Sequence, residues 1–212
     1  MCDQRMSHPT FIADQLARLK ERHIAPFNNH VEELGIRDDG GRPPWIAPMY
    51  FGRESRVLCV LRDPGKRADA AAGSGFLCIE NNDETSRRQK RLMQEAGIDP
   101  RDMLPWNAHP WFIDRAPSTN ELELGVDPLV RVVQEMPRLR AVMLMGSAAQ
   151  KSWQLVLRHY ADRILARGIR WVPTYHPSSS ALQTAVPGER AARNASLKNA
   201  YAIVADVLEK DA

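Results

Sequence analysis

The sequence predicts an α/β fold, a three-layer α/β/α sandwich built around a mainly parallel, four-stranded central sheet. Four short apolar runs, each closed by turn residues, are typical of buried strands; they cover residues 56–61, 102–106, 140–145 and 169–172. Helical patterns lie between these runs, and such alternation of strand and helix favours parallel pairing. We therefore expect one domain over residues 1–212, with residues 1–44 as its N-terminal helical extension.

Composition limits the class of protein. With 43% hydrophobic and 26% charged residues among 212, the chain has enough apolar surface for a full core. Its formal net charge of +3 permits a nucleic-acid partner without requiring one. Cys2, Cys59 and Cys78 are too few and too scattered for a zinc or iron–sulfur site, so we expect no metal and no cofactor. Without a secretory leader or a membrane-length apolar run, we expect a cytoplasmic protein, and a monomer.

The N-terminal part predicts two short helices and one ambiguous segment. Residues 10–23 form a weak amphipathic pattern, and residues 29–34 can form a second helix. Glycine, aspartate and proline mark residues 35–44 as a loop. Residues 45–51 carry three aromatic side chains and a proline, which fits either a short strand or an apolar arm lying across the domain.

The connection after the first central strand is expected to contain a loop and then a helix. Residues 66–76 combine an alanine run with a Gly-Ser-Gly segment, which is typical of a loop. Asn82 or Asp83 can cap the helix that follows, and Gly97 is a good stop signal for it. Its outer face carries a basic cluster, for which solvated side chains are more common than phosphate contacts: Arg87, Arg88, Lys90 and Arg91.

Further helices are predicted in the second half of the chain, the first of them within residues 121–136, where Pro128 indicates a helix start and Asp127 its cap. Ser147 and Gln150, directly after the third central strand, have the spacing of a capping box. Residues 189–210 place apolar side chains on one stripe, which is typical of a helix that packs on a sheet.

Polar side chains follow the predicted strands. Because the carboxyl ends of parallel strands meet at one edge, where α/β proteins bind ligands, Asp63, Asn107, Gly146 and His176 should lie close together. A carboxylate can deprotonate water, an amide can pair with a heterocycle, and an imidazole can donate to a developing anion. Phe76, on the intervening loop, can stack on a flat ring. Each residue alone is better explained by a structural role: a solvated loop aspartate, a loop cap for the asparagine, a structural histidine and a core phenylalanine. Their joint arrival at one edge favours a site.

These motifs resemble those of the uracil-DNA glycosylase superfamily. Asp63-Pro64-Gly65 after a strand is similar to the superfamily's Gly-x-Asp/Asn-Pro turn, and His176-Pro177-Ser178 is similar to its His-Pro-Ser turn. Phe76 in a glycine-rich loop and Asn107 after the next strand stand between them in the same order. The likeness extends from about residue 45 to the end of the chain.

The resemblance implies a role for each matched residue. Asp63 corresponds to the residue that positions or activates the attacking water, and Asn107 to the amide that reads the uracil edge. Phe76 corresponds to the ring that stacks on the flipped base, and His176 to the imidazole that stabilises the departing uracil anion. Leu182 lies where the superfamily inserts an apolar wedge into the space left by the flipped nucleotide.

Two residues of the first motif depart from the superfamily pattern. The turn begins with Leu61 and Arg62, where most members have a glycine, so Arg62 lies in or beside the pocket. Gly65 replaces the tyrosine that excludes thymine in the uracil-specific branch. Together with Ser178 of the last motif, both are expected to contact substrate. Basic residues flanking the same edge are expected to contact DNA phosphates: Lys66, Arg67, Arg87, Arg88, Arg190 and Arg193.

The leading hypothesis is therefore a monofunctional DNA glycosylase. It would flip uracil or a related deaminated base out of DNA and hydrolyse the N-glycosidic bond, as in base excision repair. Arg62 and the missing glycine favour an alternative, a nucleic-acid-binding module of the same fold without catalysis. A third interpretation is a hydrolase of free nucleosides or nucleotides, because the same edge would accept a nucleobase.

Overall fold

The structure, a computed structural model, describes residues 4–37 and 40–210. Six strands follow one another along this part of the chain: β1 (Trp45–Ile46), β2 (Val57–Leu61), β3 (Phe76–Leu77), β4 (Met103–Asn107), β5 (Ala141–Met145) and β6 (Arg170–Thr174). Four of them form a parallel sheet in the order β4-β2-β5-β6, and β1 pairs in parallel with β3. The predicted fold class, an α/β/α sandwich with a parallel four-stranded sheet, is confirmed.

Helices cover both faces of the central sheet. Along the described residues they are α1 (Pro9–Ala17), α2 (Ala25–Leu34), α3 (Glu84–Glu95), α4 (Thr119–Leu124), α5 (Val126–Gln134), α6 (Ser147–Leu165), α7 (Ser179–Leu182) and α8 (Glu189–Glu209). Trp171 of β6 contacts Trp153 of α6, whereas Cys59 of β2, on the opposite pleat, lies close to Tyr201 of α8. No helix in the described ranges combines the length and apolarity needed to span a membrane.

Burial on both faces explains the composition of the central strands. Every residue of β5 is buried, and so are the first four of β2, as expected for parallel strands covered by helices on both sides. The register pairs Leu61 with Asn107 and Met145 with Thr174, so the strands end at nearly the same level. The residues that follow the strands are thereby brought to one edge of the sheet.

Helix boundaries near the N-terminus differ from those predicted. The helix predicted over residues 10–23 ends at Ala17, because the following residues form turns. The next helix begins at Ala25 instead of residue 29, and Pro26 lies in its first turn, where a missing N–H is tolerated. The ambiguous segment 45–51 contains the short strand β1.

The predicted capping box at the start of α6 is wrong. This helix follows Gly146, which has a φ of 94°, and no side chain caps its first turn. Gln150 instead donates its amide to the carbonyl of Thr174, at 3.0 Å. The amide of Gln150 therefore ties α6 to the end of β6.

The predicted cap of α3 is present. Asp83, one of the two candidates, accepts a backbone N–H of the first turn of this helix.

Candidate active site

A cavity of about 1050 Å³ opens at the carboxyl edge of the parallel sheet. Residues at the ends of all four central strands contribute to its wall, namely Asp63, Asn107, Gly146 and His176. The level strand ends described above are the reason why side chains so distant in sequence meet here. Further residues singled out from the sequence line the same cavity: Arg62, Gly65, Lys66, Arg67 and Ser178.

Asp63 lies in the turn that follows β2 and is only 8% exposed. Its Oδ1 forms an ion pair with Nε of Arg62, whereas Oδ2 is buried and has no hydrogen-bond partner within the described residues. Burial raises the pKa of the Asp63 carboxyl, and the hydrogen bond and charge of Arg62 oppose that shift. One oxygen of the carboxylate is therefore paired with Arg62, and the other is left without a hydrogen bond within the described residues.

Asn107 is the last residue of β4 and is 1% exposed. Its Nδ2 is buried and donates to no acceptor within the described part of the chain. A buried amide donor without a partner destabilises the fold by about 1–3 kcal/mol. On the wall of a cavity, such a donor is suited to a ligand acceptor, for example the carbonyl oxygen of a heterocycle.

His176 follows β6, and the backbone N–H of Ser178 fixes the tautomer of its ring. The N–H of Ser178 donates to Nδ1 at 3.1 Å, so the proton of the neutral imidazole is on Nε2. Burial, with a smaller contribution from the positive charge of Arg62, lowers the pKa of His176 to about 4. At neutral pH the cavity thus contains a neutral imidazole with a donor at Nε2.

The turn that carries His176 is held by two other elements. Arg88 of α3 donates from Nη1 to the carbonyl of Pro177 at 2.5 Å and from Nη2 to Oγ of Ser179 at 3.4 Å. Its side chain is only 13% exposed, so it is not the solvated residue that the sequence favoured. Gly146, directly after β5, approaches so closely that an added Cβ would lie 3.1 Å from Cβ of His176.

Two apolar residues expected to meet DNA lie elsewhere. Phe76 is fully buried in β3, where it pairs with Trp45, and it does not line the cavity. Leu182, at the end of α7, is 2% exposed and belongs to the core. Because neither side chain has surface to offer, the ring cannot stack on a base and the leucine cannot act as a wedge in this arrangement. Val186, in the loop that follows α7, is 59% exposed.

The basic residues at the rim differ in whether their side chains already have a partner in the protein. Lys66 pairs with Asp114 at 2.9 Å. Arg193 pairs with a glutamate one turn earlier in α8 and donates to the carbonyls of Ala181 in α7 and of Gln183 directly after it, so it braces the end of α7. Arg67 and Arg190 are exposed, and neither guanidinium has a partner among the described residues. Of these four residues, Arg67 and Arg190 are therefore the two whose charged groups are fully available for phosphate contact.

Two residues at or near the cavity were not predicted. Gln89 of α3 lines it, is 8% exposed, and forms no side-chain hydrogen bond with the described residues. The sequence contains a signal for the burial of Gln89, because helical spacing places it on the same face of α3 as Leu92 and Met93, which are buried. His109, two residues after β4, donates its backbone N–H to the carbonyl of Arg62 at 3.0 Å, a contact without any local sequence signal.

The potential metal-ligating side chains of the described residues form no cluster. Within residues 4–37 and 40–210, no group of three or more histidine, cysteine, aspartate or glutamate side chains is arranged to hold a metal ion. Cys59 and Cys78 are buried free thiols, and burial raises the pKa of both, that of Cys78 to about 12. Cys2 lies outside the described residues.

The fold and this cavity define an α/β protein that presents a carboxylate, an amide and a neutral imidazole at the edge of a parallel sheet. A family model described as the uracil DNA glycosylase superfamily matches residues 48–201. The chain therefore belongs to that superfamily, and the resemblance found in its motifs is confirmed. Membership suggests a DNA glycosylase type of function, with DNA as the substrate. No individual curated protein matched the chain.

Proposed function

We propose that this protein is a monofunctional DNA glycosylase that removes uracil or a related deaminated base. The observation that carries the proposal is the convergence of Asp63, Asn107 and His176 on one cavity, in a chain of the uracil DNA glycosylase superfamily. Monofunctional means that the enzyme releases the base and leaves the DNA strand intact.

The proposed reaction develops a positive charge on the sugar and a negative charge on the base. After the base has left the stack, the bond between C1′ and the base nitrogen breaks, and its electron pair stays on the base. Water forms the new bond to C1′ and gives its proton to the carboxylate of Asp63, whose buried Oδ2 has no hydrogen-bond partner within the described residues. The developing base anion accepts a hydrogen bond from Nε2–H of His176. Positive charge on the sugar and negative charge on the base are thus stabilised by different residues.

Base recognition would rest on Asn107 and on the shape of the first motif. The unpartnered Nδ2 of Asn107 can donate to a base carbonyl. A Cβ added at Gly65 would meet nothing within 4 Å, so this position offers no barrier to a substituent on the base. Arg67 and Arg190 supply free cations for phosphates, which makes binding weaker as the salt concentration rises.

Base release from defined oligonucleotides tests the proposal. Single- and double-stranded substrates contain one uracil, hypoxanthine or xanthine, and alkali converts abasic sites into strand breaks. Wild type should release at least one of these bases, and Asp63→Asn and His176→Gln should lose the activity while keeping the wild-type circular dichroism. A folded wild-type protein that yields no abasic product from any substrate rules the function out.

Phe76 supports a second candidate, a DNA-binding module of this fold without catalysis. Its burial leaves the cavity without the stacking ring that the superfamily pattern implies. This candidate predicts salt-sensitive DNA binding that survives Asp63→Asn and His176→Gln, with no base release from wild type. Base release from deoxyuridine but not from an oligonucleotide would instead indicate a nucleoside hydrolase.

A further inference from the structure

Arg62 is placed so that it can act on both proposed reacting residues. Its Nε pairs with Oδ1 of Asp63, and its side chain, 44% exposed, lines the cavity. The carbonyl of Arg62 accepts the N–H of His109 at 3.0 Å, which ties this turn to the connection after β4. The guanidinium is therefore attached to a fixed backbone at the cavity mouth.

The ion pair determines what Asp63 can offer. With Oδ1 occupied by Arg62, the buried Oδ2 is the oxygen left to accept a hydrogen bond. A buried carboxylate loses its hydration, so a nearby cation is needed to keep it ionised. Arg62 supplies that cation, because it opposes the rise in the pKa of Asp63 that burial causes.

The same cation also lowers the pKa of the imidazole. The charge of Arg62 adds to burial in lowering the pKa of His176. One guanidinium thus favours an ionised Asp63 and a neutral His176, the two states that the proposed reaction uses. Within the described residues, His109 and Asp114 also act on Asp63, and Lys66 and Arg67 line the same cavity.

We propose that Arg62 is a positioning residue of the glycosylase reaction, whose guanidinium occupies Oδ1 of Asp63 so that Oδ2 takes the water, and whose charge keeps the Asp63–His176 pair in its working state. This inference rests on the proposed function. It assigns a role to the residue at which the chain departs from the superfamily pattern.

Single-turnover rates between pH 4 and pH 8 test the role with two variants. Arg62→Gln removes the charge, and Arg62→Lys keeps it without the guanidinium geometry. Loss of an adjacent cation raises the pKa of a carboxyl by about one unit or more. The acid limb of the rate profile in Arg62→Gln should therefore move up by about one pH unit, which is a loss of about tenfold in rate on the limb. Arg62→Lys should restore the position of the limb.

Arg67→Gln is the matched control, because it removes one charge from the same cavity wall without touching Asp63. It should raise the apparent Kd for DNA and reduce the salt dependence, and leave the acid limb in place. If Arg62→Gln behaves like this control, Arg62 is a phosphate contact and the inference is overturned. A rate increase in Arg62→Gln also overturns it, because the ion pair would then block the site.

A measurement without DNA separates this inference from the proposed function. Carboxyl ¹³C NMR of the folded protein follows the titration of Asp63, with Asp63→Asn to assign its signal. The midpoint should rise in Arg62→Gln and return in Arg62→Lys. An unchanged midpoint overturns the inference even if wild type is active. A shifted midpoint in a wild-type protein that releases no base leaves control of Asp63 by Arg62 intact and refutes the glycosylase function.

Discussion

The carboxylate after β2 and the imidazole after β6 are both desolvated, but they differ in the contacts that hold them and in the protonation state that burial favours. Asp63 is paired with Arg62, its neighbour in the chain, and burial works against its ionised form. His176 is held by backbone from Ser178 and, through the turn, by Arg88 from a remote helix, and burial favours its neutral form. The protein therefore disfavours the working form of Asp63 and favours that of His176.

This difference has a thermodynamic meaning. A raised pKa in the folded state means that the ionised Asp63 makes the fold less stable than a neutral residue would. A lowered pKa of His176 means that the neutral ring fits the fold. Activity and stability should therefore conflict at Asp63 and agree at His176.

The largest expected effect comes from Asp63→Asn. Loss of a general base lowers the single-turnover rate by about 10²- to 10⁴-fold. The same change removes a desolvated charge, so the Tm at pH 7 should be equal to that of wild type or higher. Rates of base release and thermal unfolding measured on the same preparation check both parts. A clear fall in Tm would show that Arg62 more than offsets the burial of the carboxylate.

Arg88→Met tests the other side of the comparison. It leaves the carbonyl of Pro177 without its donor, which should lower the stability by about 1–3 kcal/mol. The turn that carries His176 would lose its support, so we expect kcat to fall by about tenfold with little change in KM. Arg88→Lys, which keeps a donor and the charge, should recover part of kcat. An increase in KM alone would indicate that Arg88 contacts DNA phosphates instead.

A smaller effect is expected from Gly146→Ala. The new Cβ would lie 3.1 Å from Cβ of His176, and the φ of 94° is strained for alanine. We expect a loss of about 1–3 kcal/mol in stability and a several-fold lower kcat. Gly168→Ala is the control, because Gly168 also has a positive φ, 62°, but a Cβ there would meet nothing within 4 Å. It should lower the Tm and leave kcat unchanged, and equal effects on kcat would remove the link to His176.

The sequence predicted the sheet because strand burial has a compositional signal. The apolar runs of β2 and β5 are buried on both faces, and parallel topology then requires their ends to meet at one edge. Asp63, Asn107 and His176 could be grouped on that basis alone. The family match covers residues 48–201, a range that includes these three residues.

What could not be predicted depends on side-chain direction and on remote contacts. β3 has two residues, too few for a period that would show which way Phe76 points. The contact of Arg88 with Pro177 joins residues far apart in the chain, and a basic helix face gives no sign of it. The amide of Gln150 fits a capping box by spacing, yet it is used by the carbonyl of Thr174.

The last expected effect is a pH dependence of stability that differs between the two groups. An unfolded histidine has a pKa of about 6.5, and that of His176 in the fold is about 4. Between these values the unfolded chain binds a proton that the folded chain does not, so the contribution of His176 to stability is lost as the pH falls from about 6.5 to about 4. Asp63 acts in the opposite direction: between pH 3.8 and its raised pKa, the folded chain binds the extra proton and gains stability.

Thermal unfolding from pH 7 to pH 4 should resolve this contribution as a difference between proteins. Other carboxyls titrate in both proteins, so the comparison is wild type minus His176→Asn at each pH. We expect the Tm advantage of wild type to shrink steadily below pH 6.5 and to level off near pH 4. The corresponding difference for Asp63→Asn should have the reverse slope. Parallel curves for wild type and His176→Asn would mean that the ring titrates as it does in water, and a neutral donor at Nε2 could then not be assumed at mildly acidic pH.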